Sequence, residues 1–351
     1  MQVDKQFCMT SYLQFRYIVD PRKTFAEGVI PTRYLPTRPF YMVKNREDLK
    51  KAILDYIEPL YDSKNDTALM LSGGMDSAIL AALVPKGTKC FTFRSNIPGT
   101  TDESTLAAEY AEQNGLKHEI IDIDWQDFVD YAPTLMLRKG APIHSIAVQI
   151  YAAAKVAREQ GFVNLLFAEL ADTNFGGLSG LLSKDWDEKS FIDRYNYVDP
   201  RKVLKTEALI TEPFERHVGE SGVVDTHGFL SDVYLREAFD CYTNACETAG
   251  IKFTSPFAVS RMAEKLDLER VRAGENKYII RELFAELYKN QEPRKKLPMP
   301  RAVDEYMKEY TGPIRPEFKD NIDMSEFSGD QKWYIYCLEW FLDLIEDRNN
   351  G

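Results

Sequence analysis

Six consecutive residues, Ser72-Gly73-Gly74-Met75-Asp76-Ser77, combine the groups that hold a chain of phosphates. The paired glycines let the backbone approach an anion closely and take up positive φ. Successive N–H groups, with the start of a helix behind them, favour negative charge at that point. Ser72 and Ser77 add hydroxyl donors. Asp76 repels phosphate, so a carboxylate in an anion site makes sense with a cation between them, most simply Mg²⁺. An apolar run at 67–71 leads into the loop and a helical pattern at 78–83 leads out, which is the strand–turn–helix setting of a phosphate cradle.

The surrounding elements must hold that loop. From residue 67 to about 169 the chain alternates between strand and helix patterns. Strands are expected at 90–93, 118–123 and 163–168 and helices at 101–114, 125–138 and 143–160, with Gly115, Gly140 and Gly161 placed to end the helices. Such alternation predicts an α/β fold, a parallel sheet with helices on both faces. Ligands bind such sheets at the carboxyl ends of the strands. Residues 72–76 and Glu169–Asp172 both follow strands directly, so they should share one rim. From about residue 204 the pattern is mostly helical, with long helices expected at 231–249, 261–289 and 333–345. The prolines of 293–300 allow neither helix nor strand there.

The loop lacks the Gly-x-x-x-x-Gly-Lys-Ser/Thr of a Walker A motif. It resembles the Ser-Gly-Gly-x-Asp-Ser signature of the PP-loop ATP pyrophosphatases, the adenine nucleotide α-hydrolase-like proteins that split ATP between its α- and β-phosphates and activate a substrate oxygen as an adenylate. A second cluster, Glu169-Leu170-Ala171-Asp172-Thr173-Asn174-Phe175-Gly176-Gly177, resembles the Glu-Gly-x-Asp-Glu-x-Phe-Gly-Gly run in the synthetase domain of glutamine-dependent asparagine synthetases. Glu169, Asp172, Phe175, Gly176 and Gly177 match in register; Ala168, Leu170 and Thr173 depart. A third, Lys277-Tyr278-Ile279-Ile280-Arg281 followed by Arg294-Lys295-Lys296, resembles that family's Lys-x-x-Leu-Arg helix and Arg-x-Lys loop. Weaker matches at Thr254-Ser255-Pro256-Phe257 and in the N-terminal 55 residues extend the resemblance over nearly the whole chain.

That resemblance implies ATP and Mg²⁺ as cofactors and a set of roles. Leu71, Ser72, Gly73, Gly74, Asp76 and Ser77 hold ATP and its pyrophosphate, and Phe93 and Arg94 lie beside adenine. Asp76 and Asp172 hold the metal. Glu169 helps deprotonate an incoming amine. Lys296 is the best match to the catalytic lysine, and Lys277 and Arg281 line the site or support the loop. A cation is needed because attack at the α-phosphorus and loss of AMP both build negative charge. The resemblance also divides the chain into a connecting segment, 1–55, and a synthetase domain, 56–351, with an α/β core at about 65–185 and a helical part at about 204–351.

The glutaminase half of asparagine synthetases exposes a cysteine as its first residue. This chain opens Met1-Gln2, and Cys8 is not terminal, so no ammonia is expected from glutamine within this polypeptide. The expected substrates are a small-molecule or peptide carboxylate and an amine, the latter from free ammonia, from a separate amine-supplying protein, or carried by a second substrate. Related β-lactam and lasso-peptide synthetases use an amine on the substrate itself, giving an intramolecular alternative. β-Lactam synthetases carry tyrosine where Glu169 stands, which favours an intermolecular amine, while Thr173 shares their loss of the second glutamate. A tRNA-modifying PP-loop enzyme and a non-catalytic nucleotide-binding homologue are the remaining rivals.

Composition narrows these. A net charge of −11 argues against a nucleic-acid surface. No apolar run is long enough to span a bilayer, and the N-terminus lacks signal-peptide form. Five cysteines, an odd number without zinc or redox spacing, point to reduced thiols and a cytoplasmic location. The carboxylic acid itself is not legible; Arg94, Arg138, Lys139 and His144 are candidates for it by position only.

Overall fold

A computed structural model describes residues 1–36, 39–61, 66–95, 97, 100, 102–205, 208–289, 291 and 302–350. Its centre is a five-stranded, all-parallel sheet in the spatial order Lys117–Ile123, Lys89–Ser95, Thr67–Met70, Asn164–Leu166, Lys252–Thr254. The first three strands step outward in one direction from Thr67–Met70, and the last two step outward in the other. The order therefore reverses between Thr67–Met70 and Asn164–Leu166, which opens a crevice at their carboxyl ends. Their register, Thr67 with Asn164 through Leu69 with Leu166, places the segments that follow them side by side.

The strand Thr67–Met70 is buried on both faces, and its side chains alternate between two cores. Ala68 and Met70 join the larger one, with helices Trp125–Lys139, Ile146–Glu159 and Leu235–Thr248 and the buried C-terminal helix Gly329–Asn350. Leu69 and Leu71 join the other, with helices Arg46–Tyr61, Met75–Leu83, Ser104–Gln113 and Tyr278–Leu287. The α/β layering expected from sequence is thus present, with a largely helical part after it.

Three of the expected helices need correction. The long helix expected at 261–289 is broken into a strand and two helices. Ser260–Met262 pairs in parallel with Tyr41–Val43. The Asp267 side chain then caps the short helix Leu268–Arg272 by accepting the Arg270 N–H at 3.1 Å. Gly274 at φ +99° and Lys277 at φ +55° interrupt the chain before Tyr278–Leu287. The helix expected from 143 begins only at Ile146, which leaves His144 beside the crevice. The one expected over 231–249 opens with a π turn, Leu230–Tyr234, before Leu235–Thr248.

The sheet also takes its fifth strand, Lys252–Thr254, from within the expected helical part. The helix Arg46–Tyr61 runs through the expected boundary at 55/56. The segment before it is part of the same core. Helix Lys5–Phe15 sends the Tyr12 hydroxyl to the Ile143 carbonyl at 2.9 Å, and Tyr12 packs on Tyr334 with ring centroids 5.4 Å apart. No helix among the described residues is long and apolar enough to cross a membrane.

The N-terminal segment is also held at Gly140, whose φ is +65° and whose missing Cβ leaves room for the Ile30 carbonyl oxygen, which a Cβ would meet at 2.3 Å. The neighbouring Thr32 N–H donates to the Lys139 carbonyl at 2.8 Å. Gly140→Ala is expected to lower unfolding free energy by about 2 kcal/mol, from left-handed strain and displacement of this strap. Urea denaturation measures it.

Candidate functional site

Beyond Leu71 the chain leaves the sheet and turns into helix Met75–Leu83, with Gly74 as N-cap and no side chain capping it. The first N–H groups of any helix lack intrahelical acceptors, so this end is a ready anion site. Both serines fold back onto the loop. Ser72 Oγ lies 2.9 Å from Ser77 Oγ and accepts the Gly74 N–H at 3.1 Å, while the Ser72 N–H donates to Ser77 Oγ at 3.1 Å. In this state the hydroxyls shape the loop rather than point at a ligand. Gly73 is required by packing, because a Cβ there would meet Leu106 Cβ at 2.8 Å.

The adjacent strand tip carries the second group of acids. After Leu166 the Phe167 N–H donates to the Thr254 carbonyl at 2.8 Å, and the Ser255 hydroxyl holds the Glu169 carbonyl at 2.8 Å. Leu170 then takes φ +72°, a left-handed conformation rare outside glycine, and starts the one-turn helix Ala171–Asn174 that presents Asp172. Such strain persists only where the surroundings over-determine it, and it gathers at functional sites.

Asp76 and Asp172 meet there. Lys277 Nζ donates to Asp76 Oδ2 at 2.5 Å and lies 2.8 Å from Asp172 Oδ1. Lys277 is 5% exposed. Burial alone would lower its pKa, but the two carboxylates outweigh that and raise it to about 12, so it is a cation at neutral pH. Gly177 makes the approach possible. A Cβ on it would lie 1.9 Å from Asp172 Oδ1 and 2.6 Å from Lys277 Cε.

Glu169 lines the same crevice, which encloses about 900 Å³. Burial pushes its carboxyl up; a hydrogen bond from the Tyr242 hydroxyl opposes this, and the charge of Asp172 adds to it. Leu71 to Ser77, Phe93, Arg281 and His144 also line the cavity. Arg281 donates to the carbonyl and side-chain oxygens of Asn276, both at 2.8 Å, bracing the turn before Lys277.

Other candidates lie elsewhere. Arg94 is not among the lining residues; it pairs with Asp122 on the neighbouring strand at 2.8 Å. Arg138 pairs with Glu247 at 3.1 Å. Lys139 is buried outside the cavity. Lys296, with Arg294 and Lys295, lies outside the described residues.

Several lining groups gave no motif signal: Tyr242, Tyr234, Glu237 and Tyr197. Glu237 is paired with Arg16 at 3.5 Å, and the Arg16 guanidinium lies over the rings of Tyr197 and Tyr234, 4.9 and 5.1 Å from their centroids. Arg16 caps helix Lys5–Phe15 at φ +67°, so the N-terminal segment braces three lining residues from behind.

The asparagine synthase family model matches residues 49–328. The chain belongs to the asparagine synthase family. This ATP-using family accounts for the two clusters on adjacent strand tips, and its match runs through the interrupted 261–289 region that carries Lys277. Among solved structures the chain is similar to an NH₃-dependent NAD synthetase from Campylobacter jejuni, at 16% identity over 38% of this chain and 60% of that one, with a TM-score of 0.27. It is similar to an NMN synthetase from Francisella tularensis, at 12% identity over 74% and 99% of the two chains, TM-score 0.30. A U34-tRNA thiolase from Methanococcus maripaludis matches at 14% identity over 72% and 82%, TM-score 0.29. All three likenesses are remote. No curated protein matches the chain.

The donor set fits Mg²⁺. Two hard carboxylate oxygens already converge on one cationic centre, and Mg²⁺ on nucleotides characteristically takes one or two carboxylates and completes its shell with phosphate and water. Among the described residues no group of three or more acids, histidines or cysteines could hold a metal, so no all-protein cage competes with this pair.

Gly177→Ala is expected to destabilise the fold by about 1–3 kcal/mol through overpacking against Asp172 and Lys277. Chemical denaturation checks it.

Proposed function

We propose that this protein is an ATP-dependent amide-forming ligase. A substrate carboxylate attacks the α-phosphorus of ATP, pyrophosphate leaves, and an amine or ammonia then attacks the acyl-adenylate and releases AMP. The observation that carries this reading is the convergence of Asp76 and Asp172, from loops after adjacent strands, beside an uncapped helix N-terminus.

The N–H groups of the loop and of the first turn at Met75–Ser77 hold the pyrophosphate. Leu71 and Phe93 line the adenine side of the cavity. Asp76 and Asp172 would hold Mg²⁺, which would supply positive charge against the leaving pyrophosphate. Glu169 accepts the proton of the attacking amine, and Tyr242 orients it by donating a hydrogen bond. Lys296 supplies positive charge to the pentavalent phosphorus and to the tetrahedral carbon, a role of the kind that contributes about 3–4 kcal/mol to transition-state binding.

A glutamate at 169, rather than tyrosine, favours an amine on a second molecule, free ammonia or ammonia passed from an amine-supplying protein. The acid is a small molecule or a peptide. The five free, buried cysteines support a reducing, cytoplasmic compartment.

A panel of carboxylic acids, each with and without amines, screened for pyrophosphate release and with products weighed by mass spectrometry, tests the reaction. Asp76→Ala should abolish carboxylate-dependent pyrophosphate release; a folded variant with wild-type turnover would overturn the mechanism. Glu169→Gln should spare pyrophosphate release and slow amide formation at least about 100-fold, in line with the loss of a general base. Equal loss in both half-reactions would remove its role. Because burial lifts the Glu169 carboxyl above its ordinary 4.5, its base form is lost as pH falls through that raised value. The amide-forming step should therefore show an acid limb above pH 4.5 that is absent from Glu169→Gln.

A further inference from the structure

Lys277 is bound to the same two carboxylates that the proposed function gives to Mg²⁺. We infer that the Lys277 ammonium is an internal stand-in for the metal: it fills the Asp76–Asp172 site in the nucleotide-free protein and is exchanged for Mg²⁺ only when the metal arrives with the triphosphate. The inference rests on that reading of the site and adds an order of events to it.

The geometry makes the two cations mutually exclusive. The ammonium nitrogen stands 2.5 Å from Asp76 Oδ2 and 2.8 Å from Asp172 Oδ1, in the position a shared ion would take. Mg²⁺ needs oxygens at about 2.0–2.1 Å, so an ion bridging the pair would collide with the nitrogen. Metal alone must therefore displace a buried ammonium from both carboxylates at once, without bringing an anion to receive it. Metal carried on a triphosphate brings that partner, because the phosphate oxygens can accept the ammonium as the carboxylates release it. Each charge then exchanges one opposite charge for another, and none is left buried alone.

Local structure suits such an exchange. The backbone of Lys277 is fixed at φ +55° as the residue before helix Tyr278–Leu287, with Arg281 bracing the preceding Asn276. The movement is thus confined to the side chain, whose four-carbon stem is flexible. The stem passes Gly177, where a Cβ would come within 2.6 Å of Cε and block it. The uncapped start of helix Met75–Leu83 lies beside Asp76 and is a place where phosphate can sit within reach of a displaced ammonium.

The test is metal binding without nucleotide. Mn²⁺ alone, a paramagnetic substitute for Mg²⁺, is titrated into the full chain and free Mn²⁺ is read by electron paramagnetic resonance. Wild type should bind weakly at this site, and Lys277→Met should bind at least about tenfold more tightly, because the competing cation is gone. Lys277→Gln serves as the second neutral variant should the methionine protein fail to fold. Lys277→Arg keeps the charge and should bind as weakly as wild type. Adding Asp76→Asn to Lys277→Met should remove the gain. The unfolding temperature of Lys277→Met should rise with added Mg²⁺ by more than that of wild type.

Equal Mn²⁺ affinity in wild type and the neutral variants overturns the inference, as does a gain that appears with arginine or survives Asp76→Asn. If pyrophosphate release by wild type still requires Mg²⁺ and Asp76 in that event, the ligase reading stands and only the exchange falls.

Discussion

Everything at this site is organised by one electrostatic constraint: two carboxylates from neighbouring strand tips are held close enough to need a cation between them. Two such acids, largely withdrawn from water, repel each other and lose hydration, and an arrangement of this kind persists only with positive charge in its midst. Lys277 supplies that charge in the structure. Its burial, its left-handed backbone and the absence of a side chain at Gly177 all follow from bringing an ammonium to that point.

The sheet explains why the carboxylates meet. Its strand order reverses between Thr67–Met70 and Asn164–Leu166, so two loops far apart in sequence leave adjacent strands at the same edge. Alternating side chains on Thr67–Met70 anchor it in both cores, which fixes the start of the loop. The left-handed turns at Leu170 and Lys277 then aim single side chains, at a cost of about 1–3 kcal/mol each that the surrounding packing offsets. The N-terminal segment belongs to the same machinery, because Arg16 reaches Glu237 and the tyrosines of the far wall.

Much of this was legible because the relevant signals are local. A glycine pair between an apolar strand and a helix start needs no tertiary information to read as an anion cradle, and the acids at 169 and 172 stand directly behind another apolar strand. Helix ends marked by glycine were also readable: Gly115 and Gly140 adopt φ +67° and +65° where expected. The break within 261–289 was not, because its apolar spacing suits a helix and the decision came from Asp267 capping a new start and from strand pairing with Tyr41–Val43. The three-residue strand Lys252–Thr254 was missed for a similar reason. Its pairing with Asn164–Leu166 supplies the preference that so short a sequence lacks.

The sequence by itself determined the parallel α/β layering, the phosphate-type loop at 72–77, the acids that share its rim and the family to which they point. Only the tertiary structure decided that Lys277 stands between Asp76 and Asp172, that Arg94 pairs with Asp122, and that Tyr242 and Glu237 line the cavity with Arg16 behind Glu237. The division follows from range. Turn chemistry and apolar periodicity act between near neighbours and are written in order along the chain. The partner of a buried charge is chosen by whichever group the packed fold delivers to within about 3 Å, and residue type alone does not reveal it.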